Sequence, residues 1–193
     1  MRIGPSHPWL GAAGFHLTLP LLEFYYRQMA IHRSDSRFAR ERVRAIKDKI
    51  ERGQTVYLAG ISAAGIHNSG VALVEVTRNG PRLLFNNEEE RFSAVKHTNK
   101  YPQMSIDALR AAMARMGLDI GNIDAWFSSW DYAALAATLI RSLLEELPAN
   151  IGMMKGDPTG LFNLRDFDRG SRAPRHIMRQ LGLSEWVPLI GTP

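Results

Sequence analysis

The chain has 193 residues, 45% of them hydrophobic and 22% charged, which is enough apolar material for one packed domain and too much for wholesale disorder. It has no cysteine, which excludes disulfides, thiolate-held zinc, iron–sulfur clusters and a thiol nucleophile within it, and which fits a reducing cytoplasm. The net charge of +5 belongs to residues 1–55, with 10 Lys/Arg against 5 Asp/Glu, while 56–193 hold 14 of each; basicity confined to an arm points to a solvated helix rather than to a nucleic-acid-binding body.

Residues 1–36 read as irregular, with Gly, Pro and His scattered around a short apolar cluster from Leu17 to Tyr26. The most apolar stretch, Trp9 to Tyr26, is broken by His16, Pro20 and Glu23 and falls short of a membrane span. It also lacks the charged start and small-residue cleavage site of a signal peptide, so a soluble, cytoplasmic protein is expected. Ser36 to Gly53 predicts a basic helix with a narrow stripe of Phe38, Val43, Ile46 and Ile50. Residues 1–55 are therefore expected to be a partly helical N-terminal extension.

From Val56 the texture changes. Three apolar runs, Val56–Ile61, Val71–Val76 and Arg82–Asn86, are joined by the turn-rich 62–70 and by Arg78-Asn-Gly-Pro81, which predicts an antiparallel meander. Ile106, Leu109, Met113 and Met116 then mark a helix stopped by Gly117, Ile123–Ser129 a strand, and Leu135–Leu147 a strongly apolar helix. Residues 152–171 read as loop, 175–181 as a short helix, and Trp186–Ile190 as a strand that would sit unpaired at a sheet edge. The order β-β-β-α-β-α places the chain in the α/β class.

Two stretches carry chemistry. Gly60-Ile-Ser-Ala-Ala-Gly-Ile-His-Asn-Ser-Gly70 has the small residues that let backbone amides approach an anion, with His67 at its tip; a plain hairpin turn bearing a surface His is the other reading. Asn87-Glu-Glu-Glu-Arg-Phe-Ser-Ala-Val-Lys-His97 gathers acids, Arg91, Lys96 and His97 between a strand and a helix, which suits a phosphate- or carbamoyl-bearing anion or a solvated charge run. His176 stands alone and is expected on a helix surface; Glu145 and Glu146 are expected to be a solvated pair.

Taken together, Gly60-Ile-Ser…His67-Asn-Ser…Ala72-Leu, then Glu89-Glu-Arg-Phe-Ser…Lys96-His, then Tyr101-Pro, resemble the start of the carbamoyltransferase family, the nodulation-factor and antibiotic O-carbamoyltransferases. Met116-Gly-Leu and Ile123-Asp-Ala-Trp-Phe127 extend the resemblance over about residues 56–130. It implies an actin-like, ribonuclease H-like first domain, here incomplete, spanning 56–193. It also implies ATP, carbamoyl phosphate and a hydroxylated sugar or natural-product acceptor, with transfer through carbamoyl adenylate. By the same resemblance His67 and Lys96 are catalytic, and Ser62, Asn68, Ser69, Glu90, Arg91 and His97 bind substrate. A divalent metal is implied, with its ligands mostly outside this chain, and Asn68 stands where the family has Asp. The expectation is an N-terminal segment inactive by itself, completed by a second polypeptide, without nucleic acid or a membrane span. The other reading is a non-catalytic interaction module that self-associates as a homo-oligomer.

Overall fold

The hydrophobic runs of the middle of the chain form the centre of a six-stranded mixed sheet. The computed structural model describes residues 6–62, 69–94, 102–148, 179, 182 and 189–192. Helix α1 covers Pro8–Arg27, strand β1 Ile31–Arg33, α2 Arg37–Glu51, β2 Val56–Ser62, β3 Gly70–Thr77 and β4 Gly80–Glu88. The short α3 covers Glu90–Ser93, α4 Gln103–Arg115, β5 Ala125–Ser128, α5 Tyr132–Glu145 and β6 Leu189–Gly191, with a 3-10 turn at Ile120–Asn122.

The sheet order is β1-β6-β5-β2-β3-β4. The pairs β2–β3 and β3–β4 are antiparallel, and β2–β5, β5–β6 and β1–β6 are parallel. The predicted meander is present, and its second turn is tight because Gly80 takes φ +113°, a conformation that strains a residue with a Cβ. Pro81 follows on β4, where a missing N–H is tolerated because the strand is an edge.

Successive residues of a strand face opposite sides of the sheet. Ala59, Ile61, Val71, Leu73 and Trp126 pack with Ile106, Leu109 and Met113 of α4 and with Tyr26, Met29 and Tyr132. On the other face Val56, Leu58, Ala125 and Phe127 meet Ile46 and Ile50 of α2. The basic helix thus docks as its stripe predicts, except that Val43 is turned to solvent. Ser36 starts α2 by accepting the Ala39 N–H on its Oγ at 3.1 Å.

Two expectations are corrected. The described part of residues 1–36, from residue 6 on, is not irregular: Pro8–Arg27 is a 20-residue helix, and β1 belongs to the main sheet. Gly11 and Gly14, which argue against a helix in isolation, lie against α5; a Cβ on Gly11 would sit 2.9 Å from the Arg141 carbonyl oxygen, and one on Gly14 2.2 Å from a Leu144 methyl. Close helix packing outweighs poor propensity here. Likewise the strand at the end of the chain is no exposed edge. β6 lies between β1 and β5, and the edges are β1 and β4. The predicted loop at 152–171, His176 and all of the predicted helix at 175–181 but Arg179 lie outside the described residues.

Candidate functional site

The sheet brings both sequence motifs to one edge. β2 and β4 run in the same direction, so their carboxyl ends lie together, and β3 starts between them. The register is direct: Ser62 pairs with Gly70, and Gly70 pairs with Glu88. The loop that follows Ser62 and the segment that follows Glu88 therefore leave from adjacent positions. His67, Asn68, Lys96 and His97 lie on those segments, outside the described residues. Ser62, Ser69, Glu90 and Arg91 are described and lie at this edge.

Gly70 is required at the junction. A Cβ there would come within 2.7 Å of the Asn87 carbonyl oxygen and 3.2 Å of Glu88 Cα, so any side chain would push β3 and β4 apart. Ser69 beside it is 2% exposed, and its carbonyl accepts the Glu89 N–H at 2.8 Å. Among the described residues the Oγ atoms of Ser69 and Ser105 are buried without a hydrogen-bond partner. Orphaned buried hydroxyls are costly unless something else satisfies them.

The residue that sequence reasoning missed is Glu89. It is 6% exposed, and its carboxylate accepts the backbone N–H groups of Met104 at 3.1 Å and Ser105 at 2.9 Å. Pro102, which precedes α4, gives no side-chain cap, so Glu89 caps that helix from outside. The signal was present as the first member of Glu89-Glu-Arg, but in sequence it is indistinguishable from the acids on either side, Glu88 and Glu90. Glu90 is partly buried and Arg91 exposed, both on α3, which ends in Ala94 at φ +55°.

On the other side of β2 the edge continues through β5. The Ser129 N–H donates to the Ile61 carbonyl at 3.2 Å, and Ser129 Oγ donates to Ser62 Oγ at 3.2 Å. Beneath them Ser128 Oγ donates to the Tyr132 hydroxyl at 3.1 Å, while burial drives the Tyr132 pKa up to about 12 against the lowering effect of that bond. The meander grows outward from one side of β2 and β5 and β6 from the other, so the Ser62–Ser129 contact marks the point where the order of building reverses. Crevices at such points, outside the carboxyl ends of strands, are where open α/β sheets hold ligands.

A cavity of about 270 Å³ opens at the far end of the same edge, beside β1 and the start of α5. Its charged groups are already engaged. The Arg33 guanidinium pairs with Glu23, with Asp35 at 3.1 Å and with Asp131 at 2.8 Å; Asp131 also caps α5 by accepting the Ala134 N–H at 3.0 Å. His32 stacks on Phe38 with ring centroids 4.1 Å apart, and burial, helped by Arg27, lowers its pKa. This cluster ties β1 to both helices. The described residues of the two motifs, Ser62, Ser69, Glu90 and Arg91, are at the Ser62–Glu89 end, and the candidate site is placed there. No protein family, curated protein or solved structure matches the chain.

Proposed function

We propose that the chain carries the carbamoyl- and nucleotide-binding edge of an O-carbamoyltransferase. The observation that supports this reading is the register Ser62–Gly70–Glu88, from which the segments carrying the two motifs leave neighbouring strand ends. The topology supports the actin-like, ribonuclease H-like assignment. An antiparallel meander is continued from its first strand by parallel strands, and helices cover both faces. The residues at the edge fit a phosphate group: two serine hydroxyls, one of them a buried orphan, beside a loop of small residues.

When bound, ATP and carbamoyl phosphate would supply carbamoyl adenylate. His67 then takes the proton of the acceptor hydroxyl as its oxygen attacks the carbamoyl carbon, the bond from that carbon to the adenylate phosphate oxygen breaks with AMP as the leaving group, and the Lys96 ammonium holds the charge that develops on the carbonyl oxygen. Arg91 and His97 add positive charge toward phosphate. Glu89 does none of this; it fixes the helix that follows the second motif. A divalent metal belongs to this reading too, but no cluster of ligands for one is present among the described residues, and no step is assigned to it.

The test is calorimetric titration of the chain with carbamoyl phosphate and with ATP. Binding is expected, and Lys96→Ala should weaken carbamoyl phosphate by roughly tenfold or more, the worth of a charge-assisted hydrogen bond. A folded chain that binds neither ligand sinks the proposal. The second reading, an interaction module, draws on a different surface, the outer face of α1.

A further inference from the structure

Helix α1 is apolar on two sides. One side is occupied: Gly11 and Gly14 lie against Arg141, Leu144 and Glu145 of α5, and Tyr26 is 2% exposed in the core. The other side faces solvent. Trp9 is 70% exposed, Leu17 72%, Leu21 70% and Phe24 61%, with Tyr25 at 49%. These positions recur at the spacing of a single helical stripe. From Trp9 to Phe24 every exposed position is free of Asp, Glu, Lys and Arg. A monomer rarely leaves a contiguous apolar surface of this extent in water.

We infer that this stripe is the interface of a homodimer, in which α1 packs antiparallel on α1 of a second copy. Area argues for it. The five side chains present roughly 700 Å² to solvent, close to the ~800 Å² each partner contributes to a standard interface. Symmetry argues for it as well. With Leu17 on a two-fold axis, Trp9 meets the second copy's Tyr25, and Leu21 meets the second copy's exposed Ala13. Each large side chain thus finds a complementary position, and each contact occurs twice. The absence of charge removes any like-charge penalty from bringing identical faces together.

A membrane surface fits less well. An interfacial helix flanks its apolar face with Lys and Arg. Here those residues are concentrated on α2, across the sheet, while the flank of α1 opposite the stripe is buried against α5. Strand-to-strand pairing of two copies is not favoured through β6, which is paired on both sides, or through β4, which carries Pro81 and Arg82 at its edge.

The test uses the whole chain. Sedimentation velocity over a concentration series should show a monomer–dimer equilibrium, and Leu17→Glu should shift it to monomer with unchanged far-UV dichroism and the melting temperature of wild type at a monomeric concentration, because Leu17 is exposed in the single chain. The chain has no cysteine, so Leu17→Cys should form a disulfide-linked dimer on oxidation, whereas Arg40→Cys on exposed α2 should not. A wild-type chain that stays monomeric, a Leu17→Glu variant that stays dimeric, or equal cross-linking by both cysteine variants overturns the inference. Co-sedimentation of a monomeric wild type with phosphatidylcholine–phosphatidylserine vesicles, abolished by Leu17→Glu, assigns the stripe to lipid instead and also overturns it.

Discussion

Replacing Glu89 by alanine should unfasten the helix that follows the second motif. The carboxylate is buried and accepts two backbone N–H groups, from Met104 and Ser105, at the otherwise uncapped start of α4. Hydrogen bonds from neutral donors to a charged acceptor contribute about 1.5–3 kcal/mol each. The two share one carboxylate, and the freed amides regain some solvation, so the expected loss is about 3 kcal/mol. For a domain of this size that lowers the melting temperature by roughly 6–12 °C. Glu89→Gln keeps one acceptor oxygen and the packing but loses the charge and the second acceptor, so it should fall between alanine and wild type. Thermal melts by circular dichroism give the magnitude, and amide hydrogen exchange gives the location: Met104 and Ser105 should lose protection before the β2–β5 core does. A Glu89→Ala melting temperature within about 2 °C of wild type would refute the capping role, because no compensating cap is within reach at Pro102.

Three further outcomes are expected. Tyr132 is neutral in the fold with its pKa raised to about 12 by burial, whereas an unfolded tyrosine titrates near pH 10. Stability should therefore be level below pH 10 and fall from pH 10 toward 12, where Tyr26, also raised by burial, adds to the fall, and Tyr132→Phe should lessen it; thermal melts across this range check it. His32 behaves in the opposite sense. Its folded pKa is lowered by burial and then by Arg27, so its contribution is present above about pH 6.5 and lost as pH drops below that value; chemical denaturation of wild type and His32→Phe between pH 7 and 5 measures the difference. Gly70→Ala forces a Cβ to 2.7 Å from the Asn87 carbonyl oxygen and should cost about 1–3 kcal/mol, read as a lower denaturation midpoint, together with weaker carbamoyl phosphate binding, since the strand pair that launches both motifs is spread.

The α/β class, the meander and the basic helix were legible because each rests on local pattern. Val56–Ile61 and Val71–Val76 are β-rich runs bounded by turn residues, and Ser36 is a cap followed by a helical stripe. Helix α4 was equally plain, with Ile106, Leu109 and Met113 fully buried. Candidate residues at the strand ends, Ser62 and Ser69, were named from the motif alone, and the register across β2, β3 and β4 shows that they share an edge with Glu88. Sequence could not separate Glu89 from Glu90 and Arg91, because whether an acid caps a helix depends on where the next long helix, α4 at Gln103, begins.

By itself the sequence determined strands β2 to β5 and helices α2, α4 and α5, since hydrophobic spacing and turn residues act within a few positions along the chain. Only the tertiary structure decided that Pro8–Arg27 is a helix, because Gly11 and Gly14 become favourable when the backbone of α5 lies against them. Only it placed β1 and β6 side by side, joining residues 31 and 189 in one ladder. Pairing across such a separation leaves no local trace, since it is fixed by which apolar faces find each other once the sheet has formed.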